Sequence, residues 1–302
     1  MIKPLDKWLL AALLLLCSLP GFSDEQGDEP VRVVASFSVL GDWVQQVGGE
    51  RVALTTLVGA DADAHIYQPT PGDARALSQA QLLVINGLHF EGWVTRLHTA
   101  SGFSGHTLTA TDGIVPLVMH DDDHHGEDPH AWHSVANARV YVGNIRDALI
   151  TVDPDHGAHY RQRAQDYLAQ LEALEEELQD IVASLPPERR QVITSHDAFG
   201  YLAQAYDLQF SAPKGLSTEA EASAADMAAI IRQIREQQIP AVFLESSSDT
   251  RLVRQIARET DARIGGTLYA DALSRDDGPA GTYQAMMRHN IHTLVQALSP
   301  TP

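Results

Sequence analysis

Histidines and carboxylates, the side chains that hold transition metals in proteins, crowd into one short segment of this 302-residue chain. The segment HDDDHHGEDPHAWH, at residues 120–133, contains five histidines and five acidic residues. The single cysteine, Cys17, lies near the start of the chain, so a metal site elsewhere must use His, Asp or Glu. A local cluster of this kind is typical of a metal site, a metal-collecting loop and a solvated polar loop alike. The rest of the sequence has to distinguish between them.

Four further candidates lie where predicted strands end, in four separate parts of the chain. In open α/β sheets, ligands bind beyond the carboxyl ends of the strands. The candidates are His65 in GADADAHIYQPTPGD, His130 in EDPHAWH, His196 at the end of QVITSH and Asp271 at the end of GGTLYAD. Taken singly, such a histidine is usually solvated or caps a helix, and Asp271 could cap the helix that follows it. Brought together in one cleft, three imidazoles and one carboxylate suit tetrahedral Zn²⁺.

Alternating strands and helices in each half of the chain are the elements that would position these side chains. In the first half, the segments VRVVASFSVL (residues 31–40), VALTTLVG and LLVING are predicted to be buried strands of a parallel sheet, with helices between them. The same alternation resumes with RQVITSH, IPAVFLES and ARIGGTLYA in the second half. We therefore expect an α/β fold of two Rossmann-like lobes.

A long amphipathic helix is predicted between the two lobes. From residue 158 to residue 185, apolar residues recur at steps of three and four, and Pro186 and Pro187 end the pattern. About 28 residues form a rod of roughly 40 Å, long enough to join two lobes stiffly. An ordinary long surface helix is the alternative. The predicted organisation is a signal peptide at residues 1–23, an N-terminal lobe at 24–152, a linking helix at 153–187 and a C-terminal lobe at 188–302.

The first residues are predicted to export the chain. A basic start precedes an apolar run that is too short to span a bilayer, and the small residues Gly21 and Ser23 fit cleavage after residue 23. A lipoprotein anchored at Cys17 is the alternative, although lipid modification favours a small residue where this chain has Leu16. The formal net charge of −19 argues against nucleic acid and anionic membranes as partners.

Five segments resemble the signature segments of the periplasmic zinc-binding proteins of ABC importers, the ZnuA and AztC type: ADAHIYQPTP, DPHAW, TSHDAFGYLA, FLES and YADALS. They occur in the family's order, and the resemblance runs from about Val31 to the C-terminus. It implies two α/β lobes bridged by one long rigid backbone helix, with the metal held between the lobes. Carried over residue by residue, the implied ligands are His65, His130, His196 and Asp271.

One of these positions separates metals within the family. Manganese-binding members carry a carboxylate where this chain has His196, and hard Mn²⁺ prefers more oxygen ligands than this set provides. The resemblance therefore implies one tight Zn²⁺ site. We expect such a receptor to be a monomer whose partners are an ABC permease and its ATPase, and to capture Zn²⁺ either free or from a periplasmic zinc metallochaperone.

Several other residues are candidates for lesser roles. His89 and His133 depart from the residues usual in the family; His89 is a candidate to approach the cleft, and His133 is a further candidate ligand. Glu245, at the end of the strand IPAVFLE, is expected to orient a ligand. In the acidic segment 120–127, we predict a flexible loop that acquires or transfers zinc at a weak second site and is not needed for tight binding. Its histidines are His120, His124 and His125.

The leading hypothesis is a receptor, not an enzyme, that captures Zn²⁺ in the periplasm and delivers it to an ABC importer. Four protein ligands fill a tetrahedron and leave no position for an activated water. A manganese receptor or a metal-dependent adhesin of the same fold is one alternative. A zinc hydrolase, with three histidines and a water at the metal, is an alternative of another class. Asp271 discriminates between receptor and hydrolase, because its ligation closes the open position.

Overall fold

The structure is a computed structural model that describes residues 29–121 and 124–299, with the backbone alone described for residues 119–121 and 124–125. The predicted signal peptide and Cys17 lie outside the described residues. The first half contains β1 (Val31–Phe37), α1 (Ser38–Gly48), β2 (Val52–Val58), α2 (Pro71–Gln79), β3 (Leu82–Ile85), α3 (Val94–Ser101), β4 (His106–Thr109), β5 (Val118–Asp121), β6 (His124–Glu127) and α4 (Val135–Val152). The second half contains α5 (Gly157–Ala183), β7 (Gln191–Ile193), α6 (Gly200–Tyr206), β8 (Gln209–Ser211), α7 (Ala224–Gln237), β9 (Ala241–Glu245), α8 (Arg251–Glu259), β10 (Arg263–Leu268) and α9 (Tyr283–Leu298).

Each half of the chain forms one four-stranded parallel sheet. The strand order is β2-β1-β3-β4 in the first sheet and β10-β9-β7-β8 in the second. In both sheets the chain runs through helices between successive strands, as parallel pairing requires. The prediction of two α/β lobes is confirmed.

The first predicted strand ends three residues early. β1 stops at Phe37, and the next residues, Ser38 to Leu40, form the first turn of α1. Val39 and Leu40 are fully buried on the same helix face as Trp43. A buried strand and the buried face of a helix give the same apolar run, so hydrophobicity alone could not find this boundary.

In the acidic segment predicted to be a flexible loop, residues 120–121 and 124–127 have strand backbone. β5 and β6 pair as an antiparallel hairpin, with His120 opposite His125 and Asp121 opposite His124. We call Val118 to Glu127 the histidine hairpin. Residues 120–127 are an unbroken polar run apart from one glycine. The run has no apolar alternation, so the sequence pattern did not predict strands here.

The long helix α5 packs against both lobes. Its buried stripe contacts α1 and α4 of the first lobe and α9 of the second. Polar contacts reinforce both sides: Arg163 Nε donates to the carbonyl of Gln46 at 2.9 Å, and Arg288 Nε pairs with Glu177 at 2.8 Å. At 27 residues, the helix is roughly 40 Å long. The domain boundaries on either side of it stay a prediction.

The core is continuous from the first lobe across α5 into the second. One hydrophobic cluster includes β1 and β3 of the first sheet, the buried stripe of α5, and α9. A smaller cluster lies between β9, α7 and α8. Within residues 29–121 and 124–299, no helix combines the length and the apolar character that a membrane crossing requires.

Candidate metal centre

The four side chains predicted at strand ends meet between the two sheets. Each contributes one potential ligand atom, and these atoms all lie within 4.8 Å of one another. Three of the residues are fully buried, and His65 is 8% exposed. The first lobe contributes two of them and the second lobe the other two, so the centre spans the interface. The four residues are His65, His130, His196 and Asp271.

The spacing of the ligand atoms matches a tetrahedron around a small cation. Ligand bonds of about 2.0–2.1 Å place the corners of a tetrahedron about 3.3 Å apart. The Nε2 atoms of His65 and His130 are 3.3 Å apart, and the Asp271 carboxylate lies 3.5 Å from His130 Nε2 and 3.4 Å from His196 Nε2. The distance from Asp271 to His65 Nε2 is 3.9 Å.

Several of these atoms have no other partner. The carboxylate oxygens of Asp271 and the Nε2 atom of His196 are buried without a hydrogen bond to the described part of the chain. A buried polar atom left in this state costs about 1–3 kcal/mol. A bound cation would satisfy all three atoms at once, so the residues present fit a metal ion.

Both candidate ligands of the first lobe follow the same local pattern, Asp-x-His. The backbone N–H of His65 donates to Asp63 Oδ1 at 2.9 Å, and that of His130 donates to Asp128 Oδ1 at 2.9 Å. Asp128 Oδ1 also lies 2.8 Å from His130 Nδ1. A hydrogen bond from Nδ1–H fixes the ring so that Nε2 faces the metal. The Asp63 carboxylate makes no such bond to the ring of His65.

The carboxylate of Glu245 contacts both the backbone and the ring of His196. One oxygen of the Glu245 carboxylate pairs with His196 Nδ1, and the other accepts the backbone N–H groups of Ser195, at 2.8 Å, and His196, at 3.1 Å. Glu245 therefore fixes both the backbone and the ring of this ligand.

A tryptophan joins the segments that carry His130 and Asp271. Trp132 Nε1 donates to the carbonyl of Ala270 at 2.9 Å, and the Trp132 carbonyl accepts the hydroxyl of Tyr283 at 2.8 Å. These hydrogen bonds connect the segment that carries His130 to the segments of the second lobe that carry Asp271 and Tyr283.

Burial and neighbouring charges shift the pKa values of the clustered side chains. Burial lowers the pKa of His65 to about 4, so this imidazole is neutral at pH 7. Burial also acts to lower the pKa of His196, but the carboxylates of Glu245 and Asp271 outweigh it and raise that pKa well above its usual value. Burial acts to raise the pKa of Asp271, yet the charge on His196 holds it below the usual range.

Two other candidate histidines lie outside this group. His133 is fully buried with its ring against Phe199 at 4.7 Å, and burial lowers its pKa to about 3. His89 is exposed and has a left-handed backbone, with φ of 62°. The sequence analysis missed Asp63 and Asp128, although each stands two residues before a ligand, a spacing at which an aspartate can accept the later backbone N–H.

The chain is similar to known proteins along most of its length. The family model described as "ZnuA: Zinc-uptake complex component A periplasmic" matches residues 33–297. The manganese-binding lipoprotein MntA of Halalkalibacterium halodurans is 32% identical over 292 residues, which cover 96% of each chain. The metal ABC transporter substrate-binding lipoprotein SloC of Streptococcus mutans is 29% identical over 304 residues, 98% of this chain and 99% of the relative.

A solved structure shares the whole architecture. The periplasmic zinc-binding protein TroA of Treponema pallidum superimposes with a TM-score of 0.85 at 33% identity, over 90% of this chain and all of that one. These similarities cover both lobes and the helix between them. The chain therefore belongs to the ZnuA family and is a metal-binding, substrate-binding protein of an ABC transporter.

Proposed function

We propose that this protein is a zinc receptor: it captures Zn²⁺ in the periplasm and delivers it to an ABC-type importer of the inner membrane. The donor set carries the proposal. Three imidazole nitrogens and one carboxylate converge within 4.8 Å, and borderline Zn²⁺ accepts this mixture readily in four-coordinate geometry. The ligands of this tight site are His65, His130, His196 and Asp271.

The orienting carboxylates support a binding role. Asp128 and Glu245 hold the rings of His130 and His196 with Nε2 directed inwards, so the site is organised before the metal arrives. The fourth donor also favours binding over catalysis, because Asp271 fills the position that a hydrolase keeps for water.

A manganese receptor is the second candidate. The relative from Halalkalibacterium halodurans is named for manganese, whereas the related structure from Treponema pallidum is named for zinc. The carboxylate oxygens of Asp271 are both unpartnered in the described structure, and binding through both would suit a harder ion. The imidazole at His196 favours zinc over this alternative.

Export and transport partners complete the proposal. We infer a cleaved signal at residues 1–23 and a monomer in the periplasm, loaded by free Zn²⁺ or by a zinc metallochaperone, which docks on a permease driven by its ATPase. Since two relatives are named lipoproteins, a lipid anchor at Cys17 is the alternative. Mass spectrometry of the exported protein separates the two, because cleavage before Cys17 with added lipid contradicts the soluble form.

Replacing Asp271 with alanine tests the receptor against the hydrolase. We expect Asp271→Ala to weaken Zn²⁺ binding by more than the roughly 10–100-fold that loss of an outer partner causes, and to hydrolyse no ester or peptide substrate. The matched control is Asp277→Ala, an exposed aspartate of the same loop, which should bind as the parent does. Tight zinc with an exchangeable metal-bound water and hydrolytic activity in Asp271→Ala would contradict the receptor.

A further inference from the structure

The three histidines of the metal centre are not held equally. The Nδ1 atoms of His130 and His196 each face a carboxylate. Among the described residues, the ring of His65 has polar contacts only through Nε2, to His130 and Asp271. Asp63, which could have served its ring, accepts the His65 backbone N–H with one oxygen and the hydroxyl of Thr218 with the other, at 2.7 Å. His65 is therefore the ligand whose ring can turn with the smallest loss of hydrogen bonds.

His65 also forms the inner wall of a cavity between the lobes. The cavity has a volume of about 300 Å³, and residues of the first lobe face the second-lobe residues Leu216 and Glu219 across it. Its outer part carries three exposed groups that can bind a cation: His89, Glu127 and Glu219. The cavity thus has the buried His65 at its inner end and exposed side chains that can bind a cation at its outer end.

A fixed turn presents His89 to this cavity. Leu88 and His89 have φ of 51° and 62°, a conformation that needs support from its surroundings. The buried carboxylate of Glu91 supplies it by accepting the backbone N–H groups of Asn86, at 2.6 Å, and Gly87, at 3.2 Å.

The histidine hairpin lies along the same cavity. Its last residue, Glu127, is part of the lining. A Cβ atom at Gly126 would lie 3.9 Å from Cδ1 of Leu216 on the opposite wall. The backbone that carries the hairpin histidines is therefore continuous with the rim of the cavity.

We propose that this cavity is the port of the metal centre, that His89 with Glu127 and Glu219 binds the passing ion transiently, and that His65 is the last ligand to close. The inference rests on the proposed function of the same centre. The port groups do not converge as the four ligands do within the described structure, so they hold the ion weakly and briefly. The negative charges of Glu127 and Glu219 attract cations to the opening.

A port residue has a kinetic signature that a ligand lacks. It stabilises the ion in transit but not the ion at rest, so its loss slows association and dissociation by the same factor and leaves Kd unchanged. We expect His89→Ala to slow both rates several-fold in stopped-flow mixing with Zn²⁺ and with a chelator. The control is His98→Ala, an exposed histidine on α3 outside the cavity. Rates equal to those of this control, or a change in Kd alone, would overturn the role of His89.

A plug in the cavity tests the route itself. A side chain at Gly92, in the cavity lining, would meet no atom within 4 Å of its Cβ, and the same is true of Gly143 on the helix α4. Gly92→Leu should slow uptake and release together, whereas Gly143→Leu should do neither. Unchanged exchange in Gly92→Leu refutes the port while leaving the zinc receptor intact. If the parent binds Mn²⁺ but not Zn²⁺, the proposed metal is wrong, and the same comparison run with Mn²⁺ still decides the port.

Discussion

Replacing Glu245 with glutamine keeps the shape of the side chain but removes the charge that holds His196. In the structure, one Glu245 oxygen accepts two backbone N–H groups and the other pairs with His196 Nδ1. The amide of glutamine has a single acceptor oxygen. If that oxygen keeps the backbone N–H groups, the amide NH₂ faces Nδ1 and favours the tautomer protonated on Nε2. That tautomer cannot bind a metal through Nε2.

The expected loss of zinc affinity follows from this mismatch. Removing an outer partner of a ligand typically weakens binding by roughly 10–100-fold, or about 1.4–2.7 kcal/mol. We expect Glu245→Gln to fall within this range, because His196 remains present and must adopt the unfavourable tautomer to bind.

The loss should depend on pH in a defined direction. The raised pKa of His196 means that Zn²⁺ displaces a proton from the parent protein near neutral pH, so affinity rises with pH until that pKa is passed. His65, with a pKa of about 4, contributes no further proton in this range. Glu245→Gln should lower the pKa of His196, so Zn²⁺ displaces fewer protons per bound ion from the variant than from the parent. The variant should therefore lose more affinity at about pH 8.5 than at about pH 6.5.

Calorimetry in two buffers of different ionisation enthalpy measures both the affinity and the number of protons released. Glu172→Gln, the same change at an exposed position of α5, controls for loss of one negative charge. If Glu245→Gln bound Zn²⁺ as tightly as this control and released as many protons, Glu245 would not be orienting His196.

Three further predictions concern residues around the centre. Deletion of residues 120–126 should leave one tight zinc site in a titration, and loss of that site would show that the histidine hairpin holds the metal rather than collecting it. Tyr201→Phe should lower the free energy of unfolding by about 1–2 kcal/mol in urea titrations, because its hydroxyl accepts the N–H of Leu117 at 3.0 Å and donates to the carbonyl of Asp128 at 2.9 Å; an unchanged midpoint contradicts this bridge. His133→Phe should keep the zinc affinity of the parent, since this ring packs on Phe199 outside the ligand group, and a large loss would make His133 a ligand.

The candidate ligands could be picked out because strand ends are visible in the sequence. Buried strands give β-branched runs, and the polar residues that follow them at His65, His196 and Asp271 must gather at the carboxyl edges of the sheets. The sequence could not give the distances between them, since these depend on how two lobes pack across α5. The apolar stripe of α5 predicted the helix itself, because its buried residues recur with a helical period.

The orienting groups were harder to foresee. Glu245 ends a clear strand and was a candidate from the sequence, whereas Asp128 directly follows the acidic segment 120–127, where one carboxylate looks like another. Its role depends on a turn that brings Oδ1 to the Nδ1 of His130. The histidine hairpin was also missed, because its pairing leaves no apolar periodicity in the sequence.

Metal preference is the claim on which the zinc account depends. Nitrogen and oxygen sites generally bind Zn²⁺ more tightly than Mn²⁺, so a modest preference is uninformative. A site with His196 should prefer zinc strongly, and exchanging this imidazole for a carboxylate should reduce that preference. The variant His196→Glu is compared in the Glu245→Gln background, which avoids two adjacent carboxylates.

The most direct measurement is therefore an anaerobic competition titration that gives the ratio of the Mn²⁺ and Zn²⁺ dissociation constants, with stoichiometry. The account predicts one tight site in the parent, a large ratio in favour of zinc, and a smaller ratio when His196→Glu is added to Glu245→Gln. A parent that binds Mn²⁺ at least as tightly as Zn²⁺, or a ratio that His196→Glu leaves unchanged, would contradict it.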